Sequence, residues 1–163
     1  MGLRPIVEYP ASVLLSPGEP VVSYDGELET LVQDMFETMY DAGGVGLAAP
    51  QIGLSLRLFV MDCEGIKLVA ANPEIISADG EQGGEEGCLS VGKVRAELKR
   101  PNRAVLGAQD ANGKTFEMEA SGLAARCFQH ETDHCDGILF IRHLSPVRRD
   151  LVVKKYRKLK KQQ

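Results

Sequence analysis

The chain lacks any apolar run approaching the roughly 20 residues that a membrane span needs. Its opening, MGLRPIVEYP, lacks a signal-peptide pattern, and Met1-Gly2 is not followed by the serine or threonine of a myristoylation signal. These absences make the cytoplasm the expected location. No internal repeat, low-complexity segment or Pro/Ser-rich linker divides the 163 residues ahead of the tail, so a single domain is expected. The four cysteines, Cys63, Cys88, Cys127 and Cys135, form no C-x-x-C pair. Without an export signal they read as buried thiols or metal ligands rather than as a disulfide framework. Hydrophobic residues at 44% and charged residues at 26% exclude wholesale disorder.

The net charge of −4 hides an asymmetry. Between Arg148 and Lys161 stand eight basic residues and one acid, Asp150, a local balance of +7 that leaves −11 on the rest. An acidic body argues against a nucleic-acid-binding core, DNA included, while the basic tail remains a possible contact element.

Periodicity supplies the elements. Leu28, Leu31, Val32, Met35, Phe36 and Met39 recur every three or four positions, predicting a helix over 27–41 with Asp25 as N-cap and Gly43-Gly44 as its stop. Short β-like runs follow around 56–62, 67–76, 94–99, 103–109 and 115–120, with Asn112-Gly113 as a hairpin turn. The polar, glycine-rich stretch 77–87 reads as a loop. Helices over about 123–136 and 147–160 close the chain. Strands clustered between helices, without βαβ alternation, point to an α+β fold.

His130-Glu131-Thr132-Asp133-His134 is an H-E-x-x-H motif within the first of those closing helices. At 3.6 residues per turn the two imidazoles share a face and can meet one cation. Glu131, about 100° further round, flanks that cation where a base for water activation belongs. A catalytic site needs a third protein ligand and a position left for water. The metzincin spacing fails, because its histidine position holds Phe140, and no glutamate follows Glu131. His143 and Asp150 have no recognised spacing. An upstream ligand is therefore expected, and Cys88, in Glu86-Gly87-Cys88-Leu89-Ser90, is the candidate, since thiolate suits soft and borderline cations. Cys63, Cys127 and Cys135 read as small buried thiols.

A third segment is Gly44-Val45-Gly46-Leu47-Ala48-Ala49-Pro50-Gln51. It loosely matches a dinucleotide fingerprint, but it follows a helix and runs into a proline, so that reading fails. The alternative is a wall along which a substrate backbone lies close, with Gln51 offering an amide donor to an oxyanion.

In chain order, segments 44–51, 86–90 and 129–134 resemble in sequence and separation the three signature motifs of the peptide deformylases. The resemblance spans nearly the whole chain, from Arg4–Pro10 to Leu144-Ser145, and the basic C-terminal helix is similar to that of the bacterial type 1 branch. It implies an α+β fold with antiparallel sheets surrounding the H-E-x-x-H helix. Residues 1–147 would form the catalytic domain, and 148–163 a basic helix of the same domain. It implies hydrolysis of the formyl group from N-terminal formyl-methionine of new polypeptides, releasing formate. Cys88, His130 and His134 would hold one divalent metal, Fe²⁺ foremost, with Zn²⁺, Ni²⁺ or Co²⁺ as substitutes. Water activated by that metal would attack the formyl carbon, with Glu131 as base and then acid, and Gln51 and the Leu89 backbone N–H on the oxyanion. Val45, Gly46, Gly87 and Arg95 would line the substrate, and Asp133 is a candidate support for the ligands. The implied partners are nascent formyl-methionyl chains and, through the basic helix, the ribosome; a monomer is expected. The alternatives are an H-E-x-x-H metallopeptidase and a catalytically silent, ribosome-bound relative.

Three departures from the family pattern stand out. Gly92-Lys93 stands where Pro-Gly or Pro-Glu is common, which would loosen the strand flanking the substrate. Cys135 replaces a leucine, which is tolerable if its neighbours fill in. Arg126 stands where an apolar residue would line the pocket for the methionine side chain. Its guanidinium would either rim that pocket and alter its preference, or pack its stem and reach water or an acidic side chain. In the tail, Val152, Tyr156 and Leu159 would form the docking seam.

Overall fold

Leu58, Phe59, Val60 and Met61 follow one another without a polar interruption. In the computed structural model, which describes residues 2–162, they lie in a strand buried on both faces. Met1 and Gln163, the outer ends of the two stretches expected from the sequence, lie outside the described residues. Alternation sends Leu58 and Val60 to one side and Phe59 and Met61 to the other, because successive strand side chains point to opposite faces.

That strand, β2 (Leu58–Cys63), belongs to an antiparallel sheet of five with β1 (Gly46–Ala48), β3 (Ile66–Asp79), β6 (Arg103–Gln109) and β7 (Thr115–Ser121), in the order β1-β2-β3-β6-β7. A separate hairpin pairs β4 (Glu85–Gly87) with β5 (Arg95–Glu97). Helix α1 (Gly26–Asp41) packs Leu28, Met35 and Met39 on one face of the large sheet, over Leu47, Leu58 and Val60. Helix α2 (Gly122–Cys135) packs Ala125 and Phe128 on the other, against Phe59, Met61, Ala104 and Leu106. A further cluster, with Leu14, Val91, Val94, Leu98 and Phe140, seats α3 (Pro146–Lys161) through Val152 and Tyr156. The α+β architecture with antiparallel sheets around the H-E-x-x-H helix is the one expected.

Local chemistry sets the boundaries. The Asp25 carboxylate accepts from Leu28 N at the start of α1, and Gly43, at φ +73°, ends it. The turn after β6 is tied by Asp110, with Gly113 at φ +84°. Arg57 donates to the Cys135 carbonyl, 3.0 Å, and to Asp136, fixing the C-terminal end of α2 against the sheet.

The structure departs from the sequence reading in three places. The stretch 77–87 is not all loop: β3 continues to Asp79, and Glu85–Gly87 forms β4, because backbone pairing needs no apolar alternation. β1 is too short for a periodic signal, yet it pairs Gly46 with Met61 and Ala48 with Phe59. Leu159 is 38% exposed and lies outside the α3 seam. Tyr156 is the last residue with a buried face, and its hydroxyl donates to Glu8 at 2.6 Å.

Candidate metal centre and active site

Helix α2 presents His130 and His134 one turn apart, with ring centroids 5.0 Å from each other. Cys88 directly follows β4, and its Sγ lies 3.3 Å from His134 Nε2. The ligand atoms of Cys88, His130 and His134 all fall within 4.8 Å of one another, and all three residues are buried. Burial and the neighbouring His130 push the His134 pKa well down, so that imidazole is neutral and keeps a lone pair for coordination. His134 Nδ1 and Glu131 Oε1 are buried with no hydrogen-bond partner among the described residues. Two imidazoles and a sulfur, with Glu131 Oε2 3.9 Å from His130 Nε2, suit a divalent ion that accepts nitrogen and sulfur ligands.

The hub behind the ligands is Glu86. Its Oε1 accepts from Arg100 Nε at 2.8 Å and from Arg126 Nη1 at 2.9 Å. Its Oε2 accepts from Arg100 Nη2 at 2.7 Å and from His130 Nδ1 at 2.6 Å. Four bonds fill the acceptor capacity of a carboxylate. Burial alone would push the Glu86 carboxyl up, but hydrogen bonds and charge from Arg100 and His130 hold it well below the usual range. An ionised Glu86 only accepts, so His130 Nδ1 carries a proton. Burial opposes a second proton, but Glu131, Cys88 and Glu86 hold the His130 pKa well above its usual value, so Nε2 ligates once a metal displaces its proton. Arg100 Nη1 also donates to Asp133 at 3.0 Å, and Asp133 bonds His143 Nε2 at 2.8 Å. Asp133 thus supports the ligands through Arg100 and Glu86. The roles of Glu86, Arg100 and His143 escaped the sequence reading; the available signal was an acid two residues before Cys88.

Around the ligands stand the groups that can handle a reacting carbonyl. Burial pushes the Glu131 carboxyl up to about 7 against the opposing charge of His130, which puts it in the range of a general base. The Gln51 side chain is held by Ala48 N, which donates to Oε1 at 3.0 Å. Its Nε2 faces Cys88 Sγ at 3.6 Å and Ser90 Oγ at 3.3 Å. Leu89 opens a 3-10 turn, where a backbone N–H has no partner within the turn. A cleft of about 520 Å³ reaches these residues, lined among others by Val45, Gly46, Gly87, Arg95, Arg126 and Glu131. The structure therefore brings every sequence-selected site residue to one place or its rim.

Arg126 does not reach water. Its side chain is 6% exposed, and besides Glu86 it meets Gln82 Oε1 and the carbonyls of Gly83 and Leu98. Gly92 adopts φ +65° and ψ −137°, closed to the fixed φ of proline, and an added Cβ would lie 3.1 Å from the Tyr156 ring. The segment is a glycine turn wedged on α3. Cys63, Cys127 and Cys135 are buried free thiols, and burial drives the Cys135 pKa up to about 12. Cys127 also lines the cleft, beside Glu131.

The family model described as polypeptide deformylase matches residues 3–150. A peptide deformylase of Acidobacterium capsulatum is 49% identical over 99% of this chain and 98% of its own length. A crystal structure of a peptide deformylase from Legionella pneumophila superposes with a TM-score of 0.93 at 47% identity, covering 98% of this chain and 96% of that one. The Ehrlichia chaffeensis peptide deformylase in complex with actinonin gives a TM-score of 0.89 at 37% identity, covering 97% and 98%.

Proposed function

The chain belongs to the peptide deformylase family, the metal-dependent hydrolases that remove the N-terminal formyl group of nascent formyl-methionyl peptides, and we propose how its own residues carry out that reaction. The observation that carries the assignment of roles is the convergence of Cys88, His130 and His134, with Glu131 Oε2 3.9 Å from His130 Nε2. Cys88, His130 and His134 hold one divalent ion, Fe²⁺ by family resemblance, and imidazole and thiolate equally accept Zn²⁺, Ni²⁺ or Co²⁺. When bound, that ion supplies Lewis acidity, lowering the pKa of water and polarising the formyl carbonyl.

Glu131 takes a proton from the attacking water and returns it to the departing amine. The Gln51 amide and the Leu89 N–H donate to the oxygen that gains charge at the formyl carbon. Glu86 keeps His130 in the Nδ1–H form throughout. β1 is the edge of the large sheet, so an extended peptide can lie along Val45 and Gly46, with Gly87 on the opposite wall. Arg95 stands at the mouth, its Nη2 on the Glu85 carbonyl. The stem of Arg126 contributes to the wall facing the first side chain. A metallopeptidase reading gives way to family membership, and the intact set of Gln51, Cys88, His130, Glu131 and His134 weighs against a silent relative.

The test is formate release from formyl-Met-Ala-Ser by protein purified without oxygen. Turnover lost in Glu131→Ala with metal retained supports these roles; full activity in that variant refutes them.

No described helix is long and apolar enough to cross a membrane. A cytoplasmic monomer that meets its substrate at the ribosome is the companion proposal. The support is a basic cavity of about 700 Å³ along α3, lined by Arg149, Lys154, Arg157, Lys158 and Lys161. Truncating α3 would uncover the core beneath Val152 and Tyr156, so charge reversal is the cleaner test. Lys154→Glu with Lys158→Glu should weaken ribosome binding and its salt dependence, and unchanged binding would rule the contact out.

A further inference from the structure

Arg126 lines the cleft, and its buried side chain donates four hydrogen bonds. It stands one turn before His130 on α2, so its side chain leaves from the same face as the ligands. Three of its four partners, Gln82, Gly83 and Glu86, precede Cys88 in the chain, and the fourth, the Leu98 carbonyl, follows it. A planar fork of donors spreads over contacts on both sides of a hairpin in a way that a lysine ammonium cannot.

We propose that Arg126 is a positioning residue for the metal centre: its guanidinium fastens the β4–β5 segment, which carries Cys88, to the helix that carries His130 and His134. The inference rests on the deformylase reading for what the centre does. It also removes Arg126 from the recognition of an acidic substrate group. Such a group would have to displace buried bonds to Glu86 and to two backbone carbonyls. Without Arg126, Glu86 would still be bonded to Arg100 and His130, so the fold keeps its main buried ion pair while the hairpin loses its clasp.

The experiment uses the full chain loaded with Co²⁺, with Arg126→Gln and Arg126→Lys beside the parent. Three quantities are read: the rate of Co²⁺ loss to a chelator, the visible absorption that reports thiolate–cobalt geometry, and the thermal midpoint of the chelator-stripped protein. Arg126→Gln should lose Co²⁺ roughly 10–100-fold faster with an altered spectrum, and Arg126→Lys should fall between it and the parent. Parental Co²⁺ loss and spectrum, whatever the thermal midpoint, overturn the proposal. So does faster loss with an unaltered spectrum. Should the glutamine variant fail to fold, the lysine variant alone decides by the same criteria. A parent protein that holds Co²⁺ and releases no formate counts against the enzymatic reading, and the cobalt comparison still decides on Arg126.

Discussion

Replacing Gly46 with alanine should damage catalysis far more than folding. Gly46 lies on β1 with a φ outside the left-handed region, so an alanine backbone suffers no strain there. The added Cβ would meet Glu131 Oε2 at 2.6 Å and Cys127 Sγ at 2.9 Å. Carbon atoms essentially never approach closer than 3.0 Å, so the Glu131 carboxylate must retreat by at least about 0.4 Å, and by twice that for an ordinary contact. A misplacement of about 1 Å costs on the order of a hundredfold in rate, so kcat should fall roughly 10–100-fold. Overpacking costs about 1–3 kcal/mol, and the stiffer unfolded chain offsets about 0.4–1 kcal/mol of it. At about 2–4 °C per kcal/mol for a chain of this size, the thermal midpoint should drop by no more than about 10 °C. Formate release followed under saturating formyl-Met-Ala-Ser, with calorimetry on the same preparation, checks both halves. A kcat within twofold of the parent would refute the placement of Glu131 as the base.

Other perturbations separate the parts of the site. Cys88→Ser should weaken metal retention, measured as metal per chain after dialysis, because an alcohol is a far poorer ligand than a thiolate; unchanged metal content would contradict the ligand set. Glu131→Ala should keep its metal and lose about 10²–10⁴-fold in kcat. Glu86 gives a pH dependence of stability. Its folded pKa is held below the unfolded one, so its contribution is complete above about pH 4.5 and is lost as the pH falls toward the folded value. The chelator-stripped protein should therefore lose thermal stability steeply on acidification below that point. Glu86→Gln should be less stable at neutral pH and respond less to acid, and parallel curves for the two proteins would refute the role of Glu86.

Much of this was legible in the sequence because the chemistry is compact there. H-E-x-x-H on a helix fixes two ligands by periodicity alone, and the residues of α1, β6 and β7 carry patterns long enough to place those elements. Cys88 was reachable only by eliminating downstream ligands and then by family resemblance. Of the hairpin, the run containing β5 was legible and β4 was not, because β4 is charged and glycine-flanked and its pairing is carried by backbone groups. The charges on Glu86, Arg100 and Arg126 each look like solvated surface when met one at a time. Only tertiary packing brings positions 86, 100, 126 and 130 together, and only then does a buried arginine become an intelligible neighbour for a metal ligand. Gly92 shows the same limit: it reads as a missing proline until its φ and the ring of Tyr156 are known.

The filled acceptor shell of Glu86 has a consequence for how this protein can change over generations. Arg100, Arg126 and His130 all bond one carboxylate, so replacing any of them alters the surroundings of the other two. Substitutions among these four positions are therefore expected to be epistatic, with double-mutant coupling of about 0.5–3 kcal/mol in place of additivity. A lineage can drift freely at Lys99 or Glu81, a long and exposed pair at 4.0 Å, but it must alter the Glu86 group jointly or leave it alone.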